Sequence, residues 1–177
     1  FRKPLVLMTP KSLLRHKRCV SPLKDLGPQA TFHRILDERH IDGLAKPEKM
    51  KRIIFCSGKV YYDLLEKRET EEIDDITIIR IEQIYPFPHN AVVELIKYFP
   101  NVDDVVWCQE EPENMGAWHF IDRRLEAAIC EAGLKCDRPT YVGREAAASP
   151  ATGHHRQHVE EQNRLVAEAL MLFAKNE

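Results

Sequence analysis

Short runs of consecutive apolar residues alternate along the chain with segments in which apolar residues recur every three or four positions. The continuous runs predict strands at Pro4–Met8, Lys51–Cys56, Asp75–Ile81, Val102–Cys108 and Thr140–Val142. The periodic segments predict helices that begin near Gly58, Ala91, Trp118 and His155. This alternation predicts an α/β fold with three layers, in which a mostly parallel, twisted sheet carries helices on both faces.

The connection over residues 17–50 is the least patterned part of the chain, and it predicts one further strand around Phe32–Leu36. No internal repeat and no linker divides the sequence, so we expect a single domain over residues 1–177. The first residue is Phe1 rather than Met, which suggests that this domain is part of a longer polypeptide.

Composition excludes several classes of protein. Apolar residues make up 44% of the 177 residues, and 26 Lys or Arg nearly balance 28 Asp or Glu. These values exclude a disordered chain, and the balanced charge gives no case for nucleic-acid binding. No apolar run approaches the ~18–20 residues of a membrane-spanning helix. The five cysteines form no C-x-x-C pair, so we expect reduced thiols and a reducing compartment.

The usual fingerprints of a self-contained enzyme are missing. The sequence contains no G-x-G-x-x-G, no Walker loop, no G-x-S-x-G and no H-E-x-x-H. His154 and His158 lie four residues apart, as two metal ligands on a helix would, but nothing supplies a third ligand. We therefore expect surface histidines and no metal site.

A basic segment near the start of the chain is a candidate anion site. Pro10 suits the first turn of a helix, where free N–H groups attract anions. Lys11 and Arg15 are four residues apart and would share one face of an α-helix, beside the hydroxyl of Ser12. The alternative is a solvated basic face without a ligand.

Two polar motifs follow predicted strands, where ligands gather in open α/β sheets. Arg80 and Glu82 have strand period and would point to the same side, either as a buried structural ion pair or as catalytic groups. Gln109, Glu110 and Glu111 precede Asn114. The carboxylates of Glu110, Glu111 and Glu113 could share a proton, or Asn114 could cap a helix; we favour a structural role for both motifs.

Several blocks occur in a specific order: Thr9–His16, Cys56–Leu64, Arg80–Pro88, Trp107–Trp118, Tyr141–Arg144 and Ala148–Gly153. In this order they resemble the carboxy-terminal domain of the thiamine-diphosphate-dependent decarboxylating subunit of 2-oxoglutarate dehydrogenase. The resemblance runs from about residue 1 to about residue 170. It implies the fold of the transketolase carboxy-terminal domain, and a structural or interface role for Arg144 beside the two polar motifs.

The resemblance also implies a role within a larger oxidoreductase of the tricarboxylic acid cycle. That enzyme decarboxylates 2-oxoglutarate and passes a succinyl group to the lipoyl arm of a succinyltransferase, its partner in a multienzyme complex. Thiamine diphosphate and Mg²⁺ are held by other domains across a homodimer interface, so no catalytic or cofactor residue is expected here and the isolated domain should be inactive. The segment with Lys11, Ser12 and Arg15 is suited to a nucleotide or acyl-coenzyme A effector.

Two alternatives stay open at this point. One is the same domain of the sister 2-oxoadipate dehydrogenase, and the other is an independent regulatory module that binds an anion. The expected location is the cytoplasm of a bacterium, or the mitochondrial matrix of a eukaryote.

Overall fold

The computed structural model describes residues 2–6, 11–39 and 41–172, and the chain divides into two compact units, 1–32 and 33–177. The strands are β1 (Ile35–Leu36), β2 (Arg52–Cys56), β3 (Ile76–Ile81), β4 (Asp104–Pro112) and β5 (Thr140–Arg144). The α-helices are α1 (Val60–Thr70), α2 (His89–Lys97), α3 (Trp118–Ala132) and α4 (His155–Ala169). Short 3₁₀ helices span Lys11–Arg15, Leu23–Leu26 and Pro47–Lys49. A single domain stays a prediction.

Unit 33–177 contains a five-stranded sheet in the order β1-β3-β2-β4-β5. β2 lies between β3 and β4 and pairs with both in parallel, and β5 pairs in parallel with β4. Only β1 among the described strands is antiparallel, and it pairs with β3. The predicted mostly parallel sheet is confirmed.

Each face of the sheet carries its own apolar core. Ile53 and Phe55 of β2 pack on the side of α2 and α3, and Ile54 and Cys56 pack on the side of α1 and α4. Successive side chains of a strand point to opposite faces, so a strand covered on both faces must be apolar at every position. This requirement explains the continuous apolar runs, and it confirms the three-layer architecture.

A buried ion pair completes one edge of the sheet. β1 ends at Leu36, so it does not reach the part of β3 that contains Ile78. The carboxylate of Glu38 accepts the backbone N–H of Ile78 at 2.7 Å. Two guanidinium nitrogens of Arg68 in α1 bind the same carboxylate at 2.5 and 2.8 Å, and both side chains are almost fully buried. A charged side chain thus replaces the missing strand partner.

The structure differs from the predictions in unit 1–32. Residues 4–6 form no strand, so the predicted strand Pro4–Met8 is wrong for those residues, and its last two residues lie outside the described part. Pro10 also lies outside it. Residues Lys11–Arg15 form a 3₁₀ helix rather than an α-helix. The described residues of this unit are all at least partly exposed, and without buried apolar contacts a longer helix has little to stabilise it.

β4 begins at Asp104 and ends at Pro112, four residues beyond the predicted end at Cys108. The motif Gln109–Glu111 therefore lies within the strand rather than after it. Charged residues near the end of a strand resemble loop residues in sequence, which is why the prediction stopped too early. Among the described helices, none is long and apolar enough to cross a membrane.

Candidate functional site

Polar side chains from three elements meet at the carboxyl ends of β2 and β4. Gly58 takes a positive φ of 74° at the end of β2, and the turn places Lys59 directly before α1. The ammonium of Lys59 lies 2.5 Å from the carboxylate of Glu110 in β4 and 3.3 Å from that of Asp63 in α1. Gln162 of α4 donates to both carboxylates, at 2.7 Å to Asp63 and 3.1 Å to Glu110. This cluster joins the sheet to two helices.

The charge state of Lys59 follows from this geometry. Burial would lower the pKa of Lys59, but the hydrogen bond and charge of Glu110, together with Asp63, outweigh it and raise the pKa above its usual value. The single positive charge of Lys59 is thus shared between two carboxylates. The cluster therefore consists of ion pairs and hydrogen bonds that connect α1, β4 and α4.

Arg144 at the end of β5 forms a second cluster with α4. Its side chain is 9% exposed, and one terminal nitrogen lies 2.8 Å from Nδ1 of His158 and 3.4 Å from the amide oxygen of Gln162. A guanidinium only donates, so Nδ1 of His158 must accept. The Nε atom lies 3.0 Å from Glu161 but is not aligned for a hydrogen bond, so that contact is ionic. Arg144 thus anchors α4 to the sheet edge.

A cavity of about 610 Å³ lies between α4 and the loop that follows β5. It is lined by Arg144 and Arg164, by Glu145, Glu160 and Glu161, and by hydroxyls such as those of Ser149 and Thr152. Hydrogen bonds from Thr152 and Gln157, and then the charge of Arg144, lower the pKa of Glu161 despite some desolvation. Its three carboxylates outnumber its two guanidinium groups, so the lining is acidic by formal charge.

Gln109 is a buried hub that joins β4 to the start of α3. Its side-chain oxygen accepts the indole N–H of Trp107 at 2.9 Å and the backbone N–H of Trp118 at 3.1 Å. Its amide nitrogen donates to the carbonyls of Glu111, Pro112 and Met115, the last at 2.8 Å. Trp118 is the first residue of α3, so Gln109 satisfies one of the free N–H groups at that helix end.

The expected helix cap at Asn114 is wrong. Ala117, not Asn114, precedes α3, and it makes no capping bond with its side chain. Asn114 instead donates to the carbonyl of Ala147 and accepts its N–H, both at 3.0 Å. Glu110 pairs with Lys59, and the exposed Glu111 contributes its backbone carbonyl to the hydroxyl of Tyr141. The carboxylates therefore do not form a proton-sharing group.

Arg80 and Glu82 form an ion pair at the end of β3, with 3.4 Å between Nε of Arg80 and the carboxylate. The expected burial of this pair is wrong, because the Glu82 side chain is 34% exposed. Glu82 lies one residue beyond the end of β3 at Ile81. Arg80 also stacks on the ring of Tyr61, 4.4 Å from its centroid, and donates to the hydroxyl of Tyr62 at 3.2 Å. Through these contacts Arg80 binds two tyrosines of α1.

The structure changes the geometry expected for the basic segment. In a 3₁₀ helix with three residues per turn, Lys11 and Arg15 point about 120° apart rather than to one face. Ser12 and Arg15 are three residues apart and do share a face. All three side chains are exposed. A single anion could thus contact Ser12 and Arg15 from one direction, with Lys11 projecting from a neighbouring face.

The described residues do not fit thiamine diphosphate with its Mg²⁺. Across residues 2–6, 11–39 and 41–172, no group of three or more His, Cys, Asp or Glu side chains could hold a metal ion. The carboxylates at the sheet edge are already bound by Lys59 and Gln162, and His158 accepts from Arg144. No catalytic step through this cofactor is derived from these residues.

Sequence reasoning missed several residues of these clusters, among them Lys59, Gln162, Glu38 and Arg68. Lys59 follows a Ser-Gly turn after a strand, a signal that could have been used. Gln162 is an ordinary polar residue of a helix, and Glu38 and Arg68 lie thirty residues apart, so local pattern gives no signal for them.

The fold and these clusters define a three-layer α/β domain whose polar side chains at the carboxyl edge bind one another. A family model described as 2-oxoglutarate dehydrogenase C-terminal matches residues 20–170. The chain belongs to this family, which confirms the resemblance.

Similar proteins agree with this assignment. The chain is 49% identical to a protein of Brucella anthropi and to one of Brucella abortus (strain S19), each named 2-oxoglutarate dehydrogenase E1 component. Each match covers 96% of this chain but only 18% and 17% of the two relatives. The chain thus spans less than a fifth of their length. Nothing in these comparisons favours the 2-oxoadipate alternative.

Proposed function

We propose that the chain acts as the carboxy-terminal domain of a longer E1 polypeptide that oxidatively decarboxylates 2-oxoglutarate. The observation that supports this proposal is the family match over residues 20–170, together with relatives at 49% identity that are named E1 component. In such a polypeptide, thiamine diphosphate and Mg²⁺ would be bound by other domains. The isolated chain would then be inactive.

The work of this domain would be structural. Lys59 and Arg144 fix α1 and α4 to the carboxyl edge of the sheet through their ion pairs, and such fixed elements suit a surface that supports neighbouring domains. We extend the proposal to a homodimer and to a lipoyl-bearing succinyltransferase as partner. The compartment would be the bacterial cytoplasm or the mitochondrial matrix, in accordance with the unpaired cysteines.

The test of this function is an activity assay with the full-length polypeptide that contains this segment. We expect reduction of ferricyanide that depends on 2-oxoglutarate, thiamine diphosphate and Mg²⁺. Addition of 2-oxoadipate in place of 2-oxoglutarate is the matched control and should give a much lower kcat/KM. Equal or preferential use of 2-oxoadipate, or no oxo-acid oxidation at all, would contradict the proposal.

A nucleotide or acyl-coenzyme A effector is proposed to bind at Ser12 and Arg15, with Lys11 at the side. The support is the shared face of Ser12 and Arg15 and the two-point contact that a guanidinium makes with phosphate. A charge-assisted hydrogen bond contributes ~1.5–3 kcal/mol, so Arg15→Ala should raise the activation constant of the full-length enzyme roughly 10- to 150-fold. The exposed Lys24 offers a control, since Lys24→Ala should leave the constant unchanged at the same ionic strength. An unchanged constant in Arg15→Ala would exclude this site.

A further inference from the structure

Residues 2–6 and 11–32, which we call the N-terminal arm, expose large apolar side chains. Seven of them are 69–86% exposed: Leu5, Val6, Leu14, Val20, Leu23, Leu26 and Phe32. No described residue of the arm is buried. Isolated apolar residues are common on protein surfaces, but a concentration of this kind in about thirty residues is typical of a surface that binds another protein surface.

The local backbone gives part of this surface a definite form. Leu23 and Leu26 begin and end a 3₁₀ helix, where residues three apart are eclipsed and point in the same direction. Both are exposed, at 86% and 75%. The pair therefore forms one apolar ridge. In the other 3₁₀ helix, Leu14 is eclipsed with Lys11 in the same way, so an apolar and a cationic group lie side by side.

The charge of the arm restricts the kind of partner. Residues 1–32 contain seven Lys or Arg and one Asp, whereas residues 33–177 contain 19 Lys or Arg and 27 Asp or Glu. The arm thus has a strong positive excess in a chain that is nearly neutral as a whole. A complementary surface must offer apolar area for the leucine ridge and carboxylates around it.

We propose that the N-terminal arm is a docking surface for an apolar surface rimmed with carboxylates on the part of the E1 polypeptide outside this segment. This inference rests on the proposed function. The relatives match nearly the whole chain, including most of the arm, yet more than four fifths of their length lies outside the match. The part of the polypeptide outside the match is covalently linked to the arm. This linkage gives its surface a high effective concentration near the arm.

Amide hydrogen exchange measured by mass spectrometry tests the docking. We expect peptides from residues 11–32 to exchange at least tenfold more slowly in the full-length polypeptide than in the 177-residue chain. The double variant Leu23→Asp/Leu26→Asp of the full-length polypeptide should lose most of this protection. Tyr85→Asp is the matched control, because Tyr85 is 78% exposed and lies outside the arm; it should keep the protection.

Equal exchange of residues 11–32 in the full-length polypeptide and in the 177-residue chain would overturn the proposal. Slow exchange in the 177-residue chain that increases with its concentration would also overturn it, because the occupant would then be a second copy. The wild-type polypeptide is assayed in parallel with 2-oxoglutarate. Arm protection without oxidation of 2-oxoglutarate would refute the proposed function only, and oxidation without protection would refute the docking only.

Discussion

Replacing Gln109 with leucine should strongly destabilise the domain while changing the volume of the side chain little. The substitution removes the acceptor of two buried donors, the indole N–H of Trp107 and the backbone N–H of Trp118. Each buried donor without a partner costs about 1–3 kcal/mol, so the free energy of unfolding should fall by about 2–6 kcal/mol. For a chain of this length, each kcal/mol lowers Tm by about 2–4 °C. A loss of ~4 kcal/mol therefore predicts a Tm about 12 °C lower.

Urea unfolding followed by tryptophan fluorescence is the appropriate assay, because the chain has two tryptophans and both bind Gln109. Gln157→Leu is the control: Gln157 is exposed and bonds only to Glu161 in the described structure, so its loss should change stability by less than about 0.5 kcal/mol. If the free energy of unfolding of Gln109→Leu falls by less than about 1 kcal/mol, with an unchanged dependence on urea concentration, the role of Gln109 as a hub is refuted.

Three further predictions concern other buried groups. Glu38→Gln breaks a buried ion pair and should lower the free energy of unfolding in urea by about 3–5 kcal/mol; a loss below about 1 kcal/mol would contradict this. Gly143→Ala should lower Tm, because a Cβ would overlap the Tyr141 hydroxyl and lie 2.8 Å from the backbone carbonyl of Gln109. Gly153→Ala is the control: a Cβ at Gly153 has no atom within 4 Å, so Tm should stay unchanged. Burial raises the pKa of the Cys108 thiol, so at pH 8 a disulfide reagent should modify the exposed Cys130 and leave Cys108 unreacted until the chain unfolds; rapid native modification of Cys108 would contradict its burial.

The interior strands could be predicted from sequence because their apolar continuity has one physical cause. β2 and β3 are covered on both faces, so their positions are apolar except for Arg52, Thr77 and Arg80. The bounds of both strands were predicted within one residue. β4 shares this property only as far as Cys108. Beyond it the strand continues with Glu110 and Glu111, which are stabilised by pairing and solvent rather than by burial.

The polar clusters were harder to predict because their partners are distant in sequence. Asn114 has the residue type of a helix cap, yet Gln109 takes that role from a strand. Glu38 binds Arg68 across thirty residues, and no periodicity relates the two. The basic segment was difficult to predict for a different reason. The spacing of Lys11 and Arg15 indicates a shared face only if the helix is an α-helix, and the backbone there is 3₁₀.

We propose that the 177-residue chain leaves the binding of thiamine diphosphate to other domains of the longer polypeptide. Calorimetric titration of the 177-residue chain with thiamine diphosphate and Mg²⁺ tests this claim most directly, with the full-length polypeptide titrated in parallel. We expect saturable binding by the full-length polypeptide and no saturable binding by the 177-residue chain. Micromolar, saturable binding of thiamine diphosphate by the 177-residue chain would contradict the proposal.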